Sequence, residues 1–170
     1  DIATLGTIAD VVPLLGENRV IVDKGLKILH NPKRIGIRAI MEVAGVLDKP
    51  LNASTIAFSI APRLNAAGRL GSAATAVELL LTNDESRARE LALLLDTENK
   101  ERQQTERQIF DEALELIAKD PNFEKKKVIV LAQENWHQGV IGIVASRLCD
   151  MYYKPCILIS HTNGVGKGSG

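Results

Sequence analysis

Residues 127–132 read Lys127-Val128-Ile129-Val130-Leu131-Ala132 (KVIVLA), a short apolar run rich in β-branched side chains with charge before it and polar residues after it. Such a run predicts a buried strand. From Val140 to Tyr152 the apolar residues fall three and four apart, which predicts a helix, and Pro155-Cys156-Ile157-Leu158-Ile159 reads as a second strand. The three form a β-α-β unit whose strands are expected to be parallel and buried, so the fold class is α/β. Two strands and one crossover are too little to cover both faces of a parallel sheet, and further chain is expected after Gly170.

Upstream, Asp84 to about Lys119 contains no Pro or Gly and is rich in Glu, Arg, Gln, Leu and Ala, which favours one helix throughout. Its ends are apolar, with Leu91, Leu94 and Leu95 at one and Ile109, Phe110, Ala113, Leu114 and Ile117 at the other, while Asp96 to Gln108 holds no apolar residue. A helix polar all round at its middle is expected to bridge packed bodies. Such a helix spans roughly 54 Å, against a radius of gyration of about 15 Å for a compact globule of this length. Two lobes joined by a water-washed rod are therefore expected, with Glu98 and Arg102 supporting it at i,i+4; the alternative is two shorter helices with a turn near Thr97 to Gln103.

Further upstream the pattern is helical, with Val20–His30, Ile35–Val46 and Ser72–Leu81 separated by Asn31-Pro32, Pro50 and Gly71. The expected domains are a helical part over 1–83, the connecting helix over 84–120, and the start of an α/β domain over 121–170.

The 170 residues carry 21 Lys plus Arg against 21 Asp plus Glu, 45% hydrophobic residues and two cysteines. That composition argues against disorder and against a disulfide-stapled secreted scaffold. No apolar run approaches the roughly 20 residues of a membrane helix and no signal-peptide pattern is present, so the expected setting is cytoplasmic, with no membrane partner. A neutral chain cannot steer nucleic acid by a global field, so any attraction to phosphate must come from a few placed cations.

Four places carry candidate chemistry. Asp10 is a lone carboxylate among apolar neighbours in LGTIADVVPL; burial there is costly, so it is expected to need a partner, and it reads either as a ligand for a hard divalent cation or as a cap before Pro13. Arg63, Asn65 and Arg69 lie in Ala61-Pro62-Arg63-Leu64-Asn65-Ala66-Ala67-Gly68-Arg69, where small residues allow close approach and arginine forks match phosphate; otherwise they are surface or cap residues. Trp136, His137 and Gly139 precede the crossover helix, where open α/β sheets bind ligands, or else form a tight turn with a core tryptophan. Lys167, Gly168 and Ser169 sit in GVGKGSG, which is either an anion-binding nest or a flexible end, and does not match a P-loop. Cys149 and Cys156 are read as small buried hydrophobes, and Lys125 to Lys127 as a solvated entry to the strand.

Taken in order, LGTIADVVPL with Glu17-Asn18-Arg19, APRLNAAGR, the Asn99 and Arg102 region, WHQGVIGIVASRL and the terminal GKGSG resemble the RecJ-type exonucleases of the DHH phosphoesterase superfamily, over nearly all 170 residues. The resemblance implies the helical part of a DHH domain, a long connecting helix and the beginning of a DHHA1-type domain. It implies a 5′→3′ exonuclease acting on single-stranded DNA in repair and recombination, with two Mn²⁺ or Mg²⁺ ions. Asp10 would be a metal ligand, Arg63, Asn65 and Arg69 would line the DNA path, Lys167 and Ser169 with their glycines would hold a terminal 5′ phosphate, and Trp136 and His137 would be groove residues. The DxD, further Asp and Asp-His-His motifs of the family are absent from these residues, as are the arginine of its GSGRS stretch and its GGH-type motif. The chain therefore looks like a middle piece of a larger enzyme and is expected to be inactive alone. The rival readings are a DHH phosphoesterase acting on short oligonucleotides or cyclic dinucleotides, and a non-catalytic scaffold of the same fold.

Overall fold

A computed structural model describes residues 1–170, which divide into two compact units, Asp1–Lys100 and Glu101–Gly170. The fold is mixed α/β, mostly helical with one small sheet, as the sequence implies.

The first unit is all helix. It contains α1 (Ile2–Ala9), α2 (Gly16–Leu29), α3 (Ile35–Val43), α4 (Ala53–Thr55), a π-helical turn (Ile56–Ile60), α5 (Ala61–Leu70), α6 (Ala74–Leu81) and the first part of α7 (Glu85–Ala118). Asp1 caps α1 by accepting the Ile2 N–H at 2.7 Å, and its other oxygen takes Arg34 Nε at 3.0 Å. Leu29, Ile37, Ile40, Met41, Ile56, Ile60, Leu79 and Leu95 are fully buried in one core, each contributing on the order of 1.5–3 kcal/mol. Two glycines let the helices approach. A Cβ on Gly36 of α3 would lie 1.7 Å from the Leu79 carbonyl oxygen of α6, and one on Gly25 of α2 would lie 1.6 Å from Thr4 Oγ1.

The polar middle of α7 departs from the expectation. The helix is unbroken from Glu85 to Ala118, with no turn near Thr97–Gln103, but water reaches only part of its polar middle: Thr97, Lys100, Glu101, Gln104, Arg107 and Gln108 are exposed, whereas Asp96 and Asn99 are only 7% and 3% exposed. Counting apolar residues missed this, because burial here is of ion-paired and hydrogen-bonded groups.

In the second unit, β1 (Ile129–Glu134) pairs in parallel with β2 (Cys156–Thr162), Ile129 opposite Cys156, and α8 (Ile141–Tyr152) crosses between them. Ile129 and Leu158 of the strands, Val144, Ala145 and Leu148 of α8, and Ile109, Phe110, Ala113 and Ile117 of α7 are all buried. A third strand, β3 (Val165–Ser169), pairs antiparallel with β2, Leu158 opposite Ser169. Gly164–Gly170 is therefore an ordered hairpin strand and not a flexible end. The strand begins at a two-residue turn, Asn163-Gly164, with φ of 52° and 77°, the left-handed pair that hairpin loops favour. No helix is long and apolar enough to cross a membrane.

Candidate nucleic-acid interface

The stretch 53–70 runs as one helical stack with a widened turn inside it. Asn52 starts it, its Oδ1 accepting the Thr55 N–H at 2.8 Å. Pro62, at the start of α5, has no N–H to give and its ring would strike the carbonyl four residues back in a regular helix. The π turn over Ile56–Ile60, closed by the Ala61 N–H on the Ile56 carbonyl, relieves that clash with one extra residue. Ile56, Ile60, Ala61, Ala66 and Ala67 go to the interior, whereas Phe58, Asn65, Gly68 and Arg69 are exposed.

Arg63 does not stand out as an open phosphate fork. Its Nε donates to Asp96 Oδ1 at 2.8 Å, and its Nη1 donates to the Ser59 carbonyl in the π turn. Lys100 Nζ meets the second Asp96 oxygen at 2.7 Å. Burial works most strongly against the Asp96 charge, but the hydrogen bonds from Lys100 and Arg63, with their positive charges, outweigh it and hold the carboxyl below its usual range. Arg63 is thus a strut between the π turn and α7, and the outward face of the motif consists of Asn65 and Arg69.

Asp10 lies on the surface just past α1, its backbone N–H closing on the Gly6 carbonyl at 3.0 Å. The carboxylate is therefore not buried and needs no partner on that ground. Val11, next to it, holds φ at 54° while 83% exposed, a left-handed conformation rarely adopted by a β-branched residue. No three His, Cys, Asp or Glu side chains are grouped to hold a metal ion. The residues of this chain do not by themselves fit a metal centre.

In the second unit Trp136 is a core residue, 3% exposed. Its Nε1–H donates to Glu112 Oε2 of α7 at 2.7 Å, and its carbonyl accepts the Ser160 hydroxyl of β2. His137 lies in the turn that leads into α8: its carbonyl accepts the N–H groups of Val140 and Ile141 at 2.9 and 3.1 Å, and its Nδ1 accepts the Gly139 N–H at 3.1 Å. The groove role expected for Trp136 is replaced by a packing role, because an indole with one buried donor finds its acceptor on α7. Lys167 and Gly168 are exposed and Ser169 is half-buried against α8, where a Cβ on Gly142 would come within 2.7 Å of Ser169 Oγ. Burial pushes the Cys156 thiol up to about 11, consistent with its reading as a packed, unreactive side chain.

Asp96, Glu112, Gly142 and Phe58 escaped the sequence reading. The proline inside a helical pattern was the available signal for the widened turn and hence for the placing of Phe58.

No family model matches the chain. The single-stranded-DNA-specific exonuclease RecJ of Bacillus subtilis (strain 168) is 42% identical over 171 residues, covering 99% of this chain, and that of Haemophilus influenzae (Rd) is 44% identical over 173 residues, also covering 99%. The chain is homologous to a part of RecJ. It spans 22% and 30% of the length of these two relatives. Crystal structures agree: RecJ from Thermus thermophilus in complex with Mg²⁺ superposes with a TM-score of 0.83 at 40% identity, over 94% of this chain and 24% of that one. A RecJ bound to manganese gives 0.81 at 40% identity, over 94% and 40%. The mixed α/β fold anticipated from the sequence is the fold of the matching part of RecJ.

Proposed function

We propose that this chain is the part of a RecJ-type 5′→3′ exonuclease that carries one end of the DNA path, in a protein that hydrolyses single-stranded DNA during repair and recombination. One observation carries the reading: an ordered likeness to RecJ, at 40–44% identity, that takes in all the candidate blocks rather than a single motif. In this reading residues 1–83 complete a DHH domain, 84–120 connect, and 121–170 open a DHHA1-type domain.

Asn65 and Arg69 face solvent on α5 and would follow the phosphodiester backbone, with Arg63 holding the helix in place behind them. Lys167 and the Ser169 hydroxyl would meet a terminal 5′ phosphate. Asp10 would give one oxygen ligand to a Mn²⁺ or Mg²⁺ centre completed by residues beyond this stretch. One carboxylate cannot hold two cations, so the 170-residue chain is expected to be inactive.

Two measurements test this. The purified chain, given 5′-phosphorylated single-stranded DNA and Mn²⁺, should release no mononucleotide, and degradation would overturn the account of Asp10. In the longer protein, Arg69→Ala should weaken binding to all single strands alike and lower the slope of affinity against salt by about one; an unchanged slope would remove Arg69 from the path.

A further inference from the structure

Residues paired across neighbouring strands share a face of the sheet, and so do residues two apart on one strand. Ser169 lies opposite Leu158 and Lys167 opposite Ser160, and Leu158 and Ser160 are fully buried. Lys167 and Ser169 therefore belong to one face of β3, and the approach of Ser169 to Gly142 identifies it as the face toward α8. That approach is tight at a single point. Gly142, in the first turn of α8, has no Cβ; one built on it would lie 3.6 Å from Ser169 Cβ and 2.7 Å from Ser169 Oγ. The first distance is ordinary packing, and the second is a clash. The hydroxyl thus stands in space that only a glycine leaves open.

A methyl group at position 142 would not break the fold, because the serine oxygen can turn about one torsion to another staggered position. Turning it re-aims the hydroxyl. A hydrogen bond to a charged oxygen depends on direction, whereas the ammonium of Lys167 acts as a point charge and tolerates a shift. We propose that Gly142 is a positioning residue: by staying bare it fixes where the Ser169 hydroxyl points, and so sets the preference of the longer protein for 5′-phosphorylated over 5′-hydroxyl strands. This rests on the reading of Ser169 given above and adds to it the residue that aims the hydroxyl.

The test is made in the longer protein, with 5′-phosphorylated and 5′-hydroxyl oligo(dT) of equal length. Gly142→Ala should lower the phosphate-to-hydroxyl ratio of kcat/KM roughly 10- to 100-fold, as Ser169→Ala should. Its Tm should be unchanged or higher, since alanine favours a helix over glycine. Added to Ser169→Ala, Gly142→Ala should have no further effect, because the atom it displaces is already gone. An unmoved ratio in Gly142→Ala, a further loss in the double variant, an equal loss on both substrates or a fall in Tm would overturn the positioning role and leave the phosphate reading standing. A ratio near one in the unsubstituted protein, or one that Ser169→Ala does not move, would overturn the phosphate reading and the role of Gly142 with it.

Discussion

The stretch 53–70 and the loop 135–140 were marked out by the same kind of signal, polar or aromatic residues set among small ones, and they fold to opposite ends. In the loop, Trp136 and His137 are committed inward: indole on Glu112, main chain on Ser160, imidazole on the turn of α8. In the helix Arg63 is committed inward, on Asp96 and Ser59, whereas Asn65, Arg69 and Phe58 are solvent-exposed. A residue's type announces what chemistry it could do, whereas the supply of an internal partner decides whether that chemistry is left for a ligand.

That contrast can be broken by substitution. Trp136→Ala should be the most damaging change, costing about 3–5 kcal/mol through lost packing and a Glu112 carboxylate left without its indole donor; chemical denaturation of the chain measures it, and a loss below about 1 kcal/mol would return Trp136 to the surface. Arg63→Ala comes next, at about 2–3 kcal/mol, because Asp96 would keep only Lys100. Its companion is acid sensitivity. A carboxyl held below the ordinary value near 3.9 contributes stability above that pH and loses it as pH falls through the lowered value. Stability should thus decline as pH falls below about 4, and Asp96→Asn should flatten that decline; an unaltered acid limb would dissociate Asp96 from it. Smallest is Phe58→Ala, within about 0.5 kcal/mol, since the ring touches little; a large loss would mark Phe58 as a packing residue and blur the contrast.

Much of the architecture could be read in advance. KVIVLA and CILI pair as parallel strands because β-branched runs flanking a helical period have few other solutions, and the long segment without Pro or Gly is one helix. The hairpin into β3 was also legible in Asn163-Gly164, but the glycines beyond it distracted from that turn. The closure of Arg63 was not legible. Its partner Asp96 is 33 positions away, and a carboxylate in a polar run offers no sign of burial until α5 and α7 are placed together. Asp10 erred in the other direction, since apolar neighbours in sequence leave its carboxylate on the surface at a helix end.

The extra residue in Ile56–Ile60 leaves the phase of all that follows in the stack unchanged. The wide turn absorbs it, so deleting one residue there would restore a regular turn with Arg63, Asn65 and Arg69 still in phase and would bring the Pro62 ring against the carbonyl four residues back.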